Sequence, residues 1–301
     1  MNNCKSSRTS WSREITGLLV GALLLAGPLS VVQAKEAADK DVLRVCADPY
    51  MLPYSNMKQQ GYENKIAELL ARKMGAKLEY KFFPQRMGFI RNTLRKQKQD
   101  GSYECDLVIT VPEGFELAAT TRPYYTSTYV LAYRKDKVKG DINTPAEFAE
   151  HAKQDEGFRM GLADRGPAQL WVFRNGLMSN IVPYQGQPGD PKHNPGEQLM
   201  HDLADGKIDA AIVWGPSAGY YAKQLKNKAD LGLIKLHNDP KYPDMRFEYS
   251  IAMAVRYGEK AWKEKVQKLI DDNRDAIDGI LKDYGVPLLP LKVAAVRDDD
   301  D

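Results

Sequence analysis

Short apolar strands alternate with amphipathic helices along most of this chain, and that alternation limits the folds it can form. In the first helix Ile66, Leu69, Leu70 and Met74 recur at helical spacing, and Gly75 is a typical residue for the helix end. Strands and helices of these lengths predict a parallel α/β sheet with right-handed crossovers. This first unit is predicted to contain strands at residues 42–47, 77–83 and 106–111, and a second helix at residues 87–97.

A second α/β unit follows the first, so we expect two lobes. Lobe 1 is predicted to comprise residues 35–126 and 249–301, and lobe 2 residues 127–248. Residues 183–195 are polar and rich in proline and glycine, which indicates a surface loop. The other predicted elements are strands at 129–133, 158–163, 210–214 and 249–255, and helices at 145–151, from 169 onward, at 197–205, at 260–274 and at 276–284.

The N-terminus has the three parts of a secretory signal. Lys5, Arg8 and Arg13 precede an apolar run at residues 15–26, and small residues lead to a cleavage position after Ala34. An uncleaved membrane anchor is the alternative, but the run is short and interrupted by glycine and proline. Cleavage would leave 40 basic residues against 39 acidic ones, because it removes three bases and one acid. A nearly neutral exported chain, with no further membrane-spanning stretch, is not expected to bind nucleic acid.

The exported chain would keep two cysteines, Cys46 and Cys105. Two thiols in an exported protein predict one disulfide, although two buried free thiols are the alternative if strand register holds them apart. Neither cysteine has a neighbouring histidine or a CxxC partner. The four histidines are scattered without the spacing of metal ligands, so the sequence predicts no metal site and no cofactor.

The order of elements resembles that of periplasmic solute-binding proteins of the polar amino-acid type. The likeness covers almost the whole mature chain through VLRVCADPYMLPYSN, GYENKIAELLARKMG, CDLVIT, PYYTSTYVLAYRK, DGKIDAAIVWGPSAGYY and YSIAMAVRYGE. The resemblance implies a periplasmic binding protein-like type II fold. In that fold two α/β lobes, joined by two hinge strands, close over a ligand.

Three positions would hold the charged groups of an amino acid in that resemblance, and none carries a suitable side chain here. The arginine that binds a carboxylate aligns with Gly114. The hydroxyl position at a helix N-terminus aligns with Pro167 and Ala168, and the acid that binds an ammonium group aligns with Trp214. A buried zwitterion without partners is strongly disfavoured, so an amino-acid ligand is not expected.

The residues expected around the cleft are instead aromatic or apolar. Such a lining would suit a small apolar or planar ligand, or a protein segment inserted between the lobes. Ordinary core packing is the alternative, above all for the two hinge tyrosines. The candidate cleft residues are Tyr50, Tyr54, Phe115, Tyr124, Tyr125, Trp214 and Pro216.

A few charged residues are expected near the same cleft. Arg122 and Arg165 would lie at its edge, and the helix N-terminus after Gly166 is a candidate anion site, unless both arginines are simply solvated. Glu113 is the only acid near the predicted mouth. One carboxylate without a second catalytic group favours a loop residue over a general acid.

Longer phrases give a more specific resemblance. VCADPYMLPYSN, GYENKIAELLARKMG, FPQRMGFIRNTL, CDLVITVPEGFELAATTRPYYTSTYV and DAAIVWGPSAGYY are similar to the MoxJ/XoxJ family, the quinoprotein-dehydrogenase-associated periplasmic binding proteins of methylotrophic bacteria. The resemblance implies a monomeric, non-enzymatic accessory protein of the periplasm that binds and helps activate or mature a PQQ-dependent methanol dehydrogenase. The alternatives are a receptor of an ABC importer for a non-amino-acid molecule and, third, an exported enzyme that would need Glu113 as its acid.

Overall fold

Strands and helices alternate along the chain as the sequence predicts, although several of their bounds differ. This computed structural model describes residues 41–291 apart from residues 139, 141, 165 and 188, so the predicted signal peptide lies outside the described residues. The helices are α1 (Tyr62–Met74), α2 (Phe89–Asn92), α3 (Pro145–Lys153), α4 (Ala168–Arg174), α5 (Pro195–Ala204), α6 (Gly215–Gln224), α7 (Lys260–Asp272) and α8 (Arg274–Asp283). The strands are β1 (Val42–Ala47), β2 (Tyr50–Met51), β3 (Ser55–Asn56), β4 (Lys77–Phe82), β5 (Leu107–Pro112), β6 (Ala119–Thr120), β7 (Tyr125–Arg134), β8 (Met160–Ala163), β9 (Ile181–Tyr184), β10 (Ala210–Trp214), β11 (Leu231–Lys235), β12 (Glu248–Val255) and β13 (Leu288–Leu289).

The main sheet has the order β4-β1-β5-β12-β7-β10-β8-β9. Strand β1 runs parallel to β4 and β5, and strand β8 runs parallel to β9 and β10. A segment containing a helix connects each parallel strand to the next along the chain, which is the arrangement that parallel pairing requires. These pairs confirm the predicted α/β class.

Two antiparallel strands, β7 and β12, pass from one half of the sheet to the other. The first part of β7 pairs with β12, from Tyr125 to Thr128, and its second part pairs with β10 and β11. Strand β12 in turn pairs with β5 through Ile251 to Ala254. These are the two hinge strands of a type II binding-protein fold, as predicted. The predicted lobe boundaries fall within them and stay predictions.

Each half of the sheet has its own core. In lobe 1 the strands β1 and β5 pack against α1 and α7 around Tyr62 and Trp262, both fully buried. In lobe 2 one face of the sheet packs around Phe148 and Ile212, and the other face packs around Leu203. Helices therefore cover the sheet on both sides, which leaves the strand ends as the place where the lobes meet.

Two glycines allow close backbone contacts beside the boundary between the lobes. A Cβ atom at Gly61, which precedes α1, would lie 1.9 Å from the carbonyl oxygen of Tyr54. A Cβ atom at Gly215, the first residue of α6, would lie 2.3 Å from the carbonyl oxygen of Thr128 in the hinge strand β7. Any other residue at either position would push the backbone apart.

The helix predicted at residues 87–97 is wrong in extent, because α2 has only four residues. Gly88 precedes it with a φ of 87°, and the hydroxyl of Thr93 donates to the carbonyl of Phe89 at 2.6 Å where the helix ends. The N–H of Lys98 then donates to the carbonyl of Ser102, which turns the chain back toward β5. The apolar residues that recur in this segment therefore belong to a short helix and a turn rather than to a longer helix.

The surface loop predicted at residues 183–195 is wrong at both ends. Pro183 and Tyr184 belong to β9, an edge strand, where a proline without an N–H is tolerated. Pro195 begins α5, and the side chain of Asn194 caps that helix by accepting the N–H of Glu197 at 3.2 Å. Only the residues between them form the connection.

The predicted disulfide between Cys46 and Cys105 is confirmed. Their Cα atoms lie 5.5 Å apart, and the bridge joins β1 to the segment that leads into β5. It belongs to a buried cluster of lobe 1 that also contains Phe89, Leu94 and Val108. The bridge therefore ties the turn after α2 to the core of lobe 1.

Candidate functional site

A cavity of about 430 Å³ lies between the two lobes. Lobe 1 contributes Met51 and Tyr54, and the hinge strand β7 contributes Tyr129. Lobe 2 contributes the remaining residues, from the carboxyl ends of β8 and β10, the loop after β9 and the starts of α4, α5 and α6. Ligands usually bind at such strand ends in open α/β sheets. Its main apolar residues are Leu162, Ala163, Pro195, Leu199, Ile212 and Val213.

Aromatic rings form one wall of this cavity. Trp214 ends β10 opposite Tyr129 of β7, and their ring centroids are 5.3 Å apart in an edge-on arrangement. Tyr249 packs behind Trp214 at 5.7 Å. Burial raises the pKa of Tyr129 to about 12, and burial also raises the pKa of Tyr54. Both phenols are therefore uncharged at neutral pH, and the wall offers flat apolar surface and hydroxyl groups.

Polar side chains around the cavity are few. Among its described lining residues, Asp164 alone carries a charge, and it is exposed, with its Oδ1 accepting the N–H of Gly186 at 2.6 Å. Ser217 lies in the first turn of α6 and contributes a hydroxyl. The described part of the lining thus contains no cation for a carboxylate and no buried carboxylate for an ammonium group.

Three positions of the sequence align with the polar groups that bind an amino acid in related proteins, and two of these positions line the cavity. Ala168 is the first residue of α4 and is 2% exposed, and Trp214 closes β10. Gly114 instead lies in an exposed turn after β5, with a φ of 73°, and is not part of the lining. Gly166 lies at the cavity, as expected, whereas Arg165 lies outside the described residues.

Three of the predicted cleft aromatics belong to the core of lobe 1, so the expectation that they line the cleft is wrong. Tyr124 and Tyr125 are each 2% exposed. The Tyr124 hydroxyl donates to the carbonyl of Ile109 at 3.1 Å, and the Tyr125 hydroxyl lies 3.1 Å from that of Tyr62. Both are buried because this part of β7 is covered on both faces. Phe115 packs against the cluster around the disulfide.

The two other charged candidates are also placed away from the cavity. Arg122 was expected at the cleft edge, but its Nη2 lies 2.6 Å from the carboxylate of Asp271 on α7, so it joins the outer helix to lobe 1. Its N–H donates to the side chain of Gln267 on the same helix at 2.7 Å. Glu113 is half-buried in the turn after β5, where its N–H donates to the carbonyl of Ser250.

Tyr50 and Pro216 lie beside the cavity without lining it. Tyr50 is 39% exposed on β2, and its ring centroid is 5.9 Å from the ammonium nitrogen of Lys192 in lobe 2. Pro216 is buried in the first turn of α6, between the lining residues Trp214 and Ser217. Tyr50 therefore belongs to the contact between the lobes, and Pro216 supports the wall from behind.

Hydrogen bonds across the cleft hold the lobes together in this structure. The side-chain amide of Asn194 donates to the carbonyl of Leu52 at 2.6 Å, and the Tyr221 hydroxyl donates to the same carbonyl at 3.2 Å. The guanidinium of Arg86 donates to the carbonyl of Asp190. Residues of lobe 2 thus contact two loops of lobe 1, one of which lines the cavity, and the described arrangement is a closed one.

Lobe 1 buries two acids behind the loop that carries Tyr54. Asp48 is 1% exposed and accepts the N–H groups of Tyr50 and Gln85, while Glu63 is 4% exposed. Burial raises the pKa of both carboxyls, and that of Glu63 rises to about 8, so Glu63 is protonated at neutral pH. Neither acid lines the cavity. These polar groups support the loop rather than face a ligand.

The sequence did not point to Met51, Tyr129, Asn194 or Ser217. Tyr129 could have been found, since it lies opposite Trp214 in the register of β7 and β10. An asparagine before a proline is a helix-start signal, so Asn194 could also have been assigned to the cap of α5. Nothing in the sequence near Met51 or Ser217 distinguishes them from ordinary loop and helix residues.

Other kinds of site find no support in the described part of the chain. No group of three or more histidine, cysteine, aspartate or glutamate residues is placed to hold a metal ion there. Within the same residues, no helix combines the length and the apolar character needed to cross a membrane. The interlobe cavity is therefore the strongest candidate site.

Comparison with known proteins assigns this chain to a family. The model of the bacterial extracellular solute-binding proteins, family 3, matches residues 43–285. Protein MoxJ of Paracoccus denitrificans is 26% identical over 289 residues, covering 92% of this chain and 98% of that protein, and protein MoxJ of Methylorubrum extorquens is 26% identical over 270 residues, covering 86% of each. The crystal structure of the periplasmic binding protein XoxJ from Methylobacterium extorquens AM1 aligns with a TM-score of 0.64 at 31% identity, over 82% of this chain and 99% of that one. The chain therefore belongs to the bacterial extracellular solute-binding proteins of family 3 and, within them, to the MoxJ/XoxJ group.

Proposed function

We propose that this protein is a periplasmic accessory protein that binds a PQQ-dependent methanol dehydrogenase and helps to activate or mature it. The observation that carries the proposal is a closed interlobe cavity, with Asp164 as the one charged side chain of its described lining, in a chain of the MoxJ/XoxJ group. The fold keeps its hinge, while the groups that would select an amino acid are missing.

The charges around the cavity argue against an amino-acid cargo. A zwitterion enclosed there would meet Asp164 at the exposed edge and otherwise uncharged side chains of the described lining. Removing a carboxylate and an ammonium group from water without partners is strongly unfavourable. Trp214 and Ala168, at the positions where such partners would be expected, favour apolar contact instead.

The periplasmic location and the non-catalytic role rest on separate observations. The family consists of extracellular proteins, and the disulfide between Cys46 and Cys105 fits an oxidising compartment. Glu113 lies in a turn outside the cavity lining, which supports a structural reading over that of a catalytic acid. We therefore propose an exported binding protein whose main ligand is another protein.

The proposal is tested by co-purification with the dehydrogenase. Purified methanol dehydrogenase is immobilised and exposed to this protein, with an amino-acid-binding protein of the same fold as the matched control. We expect retention of this protein only. Equal retention of both proteins, or retention of neither, would contradict the proposal.

A second candidate function is a receptor for a neutral planar molecule, favoured by the aromatic wall of Tyr129 and Trp214. A cavity of this size is within the range of small-molecule sites, about 300–1,000 Å³. Thermal unfolding in the presence of quinones, organic acids and alcohols tests this function, since a bound ligand raises the melting temperature in a concentration-dependent way. Any such rise should disappear in Trp214→Ala and persist in Tyr257→Ala, which removes an aromatic side chain exposed far from the lining.

A further inference from the structure

A group of exposed cations lies on lobe 1, in α2 and in the turn that follows it. Arg91, Arg95, Lys96 and Lys98 are all exposed, and we call these four residues the basic ridge. Within the described part of the chain none of the four forms an ion pair, whereas the nearby Lys81 pairs with Glu104 at 3.1 Å. Their charge is therefore available to a partner.

The acids closest in sequence form no ion pair with the ridge, although the charge of Asp100 partly offsets that of Lys98. Asp100 uses its Oδ1 to accept the N–H and the hydroxyl of Ser102, at 2.9 and 2.6 Å. Glu104 is held by Lys81. The predicted mature chain is almost neutral overall, so four cations within eight residues are a local concentration of charge rather than a reflection of composition.

The backbone beneath the ridge is rigidly held. Ile90 and Leu94 are 4% and 0% exposed in the cluster that contains the disulfide. The buried guanidinium of Arg256 donates to the carbonyl of Leu94 at 3.1 Å, and the N–H of Glu104 donates to the carbonyl of Lys96 at 3.0 Å. Fixed positions lower the entropy lost when a specific partner binds.

Two features beside the ridge favour a folded protein over an anionic membrane. Met87 is 96% exposed immediately before α2, and methionine and arginine are both enriched in protein interfaces. The planar guanidinium groups of Arg91 and Arg95 match carboxylates in pairs, a geometry that diffuse attraction to lipid headgroups does not need. Arg86, five residues before Arg91, bonds to lobe 2 across the cleft, so the ridge belongs to a segment that also contacts lobe 2.

We propose that the basic ridge docks onto an acidic face of the partner dehydrogenase and speeds their association. This inference rests on the proposed function, because it names the surface by which the same partner is engaged. Charges at the edge of an interface act mainly on the association rate and its salt dependence. The dissociation rate should change less.

Surface plasmon resonance on immobilised methanol dehydrogenase tests the ridge. The ridge variant carries Arg91→Gln, Arg95→Gln, Lys96→Gln and Lys98→Gln. The control variant carries Arg72→Gln, Lys73→Gln, Lys137→Gln and Lys226→Gln, which removes the same charge from exposed positions elsewhere. At about 0.05 M salt we expect the association rate constant of the ridge variant to fall about tenfold and that of the control variant to stay within about twofold of wild type.

Salt dependence of the wild-type protein provides a second measurement that needs no variant. Its association rate should fall steeply toward that of the ridge variant as salt rises to about 1 M, where the screening length is about 3 Å. Equal losses in both variants, or a ridge variant that associates like wild type, would overturn the inference alone. No association of the wild-type protein at low salt would overturn the proposed function together with it. A third measurement uses vesicles of equal parts phosphatidylglycerol and phosphatidylcholine. If the ridge variant loses binding to these vesicles but not to the dehydrogenase, the ridge belongs to a membrane contact and the inference is overturned too.

Discussion

Lobe 1 and lobe 2 bring very different side chains to the place where they meet. Lobe 1 buries its acids, Asp48 and Glu63, behind the Tyr54 loop and gives the cavity only two side chains. Lobe 2 supplies apolar strand ends, Trp214 and two helix starts. This difference shows that the chain keeps the hinge strands and the strand-end cavity of the fold although the described lining has no charged site for a ligand.

The two lobes also differ in the interactions that stabilise them. Lobe 1 has the disulfide between Cys46 and Cys105 and the buried ion pair of Arg256 with Asp106, at 2.8 Å. The described part of lobe 2 is held by two apolar cores around Phe148 and Leu203. A covalent cross-link therefore stabilises lobe 1, whereas apolar packing dominates the described part of lobe 2.

Removing the disulfide should have the largest effect on stability. The bridge closes a loop with a sequence separation of 59 residues, so Cys46→Ala with Cys105→Ala should lower the free energy of unfolding by about 4 kcal/mol. Urea unfolding followed by circular dichroism measures the loss. Reductant should destabilise the wild-type protein and leave the double variant unchanged. An equal response of both proteins to reductant would contradict the assignment.

Replacing the buried acid of lobe 1 should have the next largest effect, and it should depend on pH. The pKa of Glu63 rises from its ordinary value of 4.5 to about 8 because the carboxyl is buried. The wild-type protein therefore loses stability as pH rises through this range, since the folded state must give up a favoured proton. Glu63→Gln should be more stable than wild type by several kcal/mol at about pH 9 and indistinguishable from it at about pH 4.

Chemical unfolding at several pH values checks this prediction. Glu116→Gln, which removes a carboxyl from an exposed position of the same lobe, is the matched control and should not reproduce the gain in stability of Glu63→Gln. A constant difference between Glu63→Gln and wild type at all pH values would contradict a buried protonated acid.

The closure between the lobes should depend on Asn194. Asn194→Ala removes the bond to Leu52 across the cleft and the cap of α5, and should cost about 1–2 kcal/mol. Thr144→Ala is the control, because Thr144 caps α3 without contacting lobe 1. Small-angle scattering should find a larger radius of gyration only for Asn194→Ala. An equal radius for both variants would mean that this bond does not hold the lobes closed.

The class of fold could be predicted from the sequence because periodicity and glycine positions are local signals. The strands that end at Ala47 and Trp214, and the helix that ends at Gly75, needed only the pattern of apolar residues. Helix α6 and strand β11 were not predicted. Glycine, proline and tyrosine weaken the helical pattern of α6, which depends on packing against the hinge strand at Thr128.

The candidate site could be predicted only in part, since it depends on which face of a strand meets which neighbour. Trp214, a predicted cleft residue, does lie in the cavity lining, because it is the last residue of an apolar strand. Tyr124 and Tyr125 were not, because burial of both faces of β7 comes from distant segments such as Ile109 and Tyr62. Arg122 was assigned to the cleft because its partner Asp271 lies 149 residues away in the sequence.

The smallest effect is expected at that arginine. The pair of Arg122 and Asp271 is exposed, with 55% and 39% of the two side chains accessible, so Arg122→Gln should change stability by less than about 1 kcal/mol. It should also leave binding of the dehydrogenase or of any small ligand unchanged, because the side chain faces away from the cavity. Titration of Arg122→Gln and of the wild-type protein against the same partner measures this. A lower affinity of the variant would indicate that Arg122 contributes to the cleft after all.

The central claim is that this binding-protein fold serves a dehydrogenase rather than an amino acid. Its most direct test is the rate at which methanol dehydrogenase lacking PQQ gains activity when PQQ and metal ion are added, with and without this protein. The account predicts a faster rate or a higher final activity that saturates as this protein approaches equal concentration with the enzyme. An unchanged rate and yield at every concentration, with a free amino acid raising the melting temperature of the protein, would contradict it.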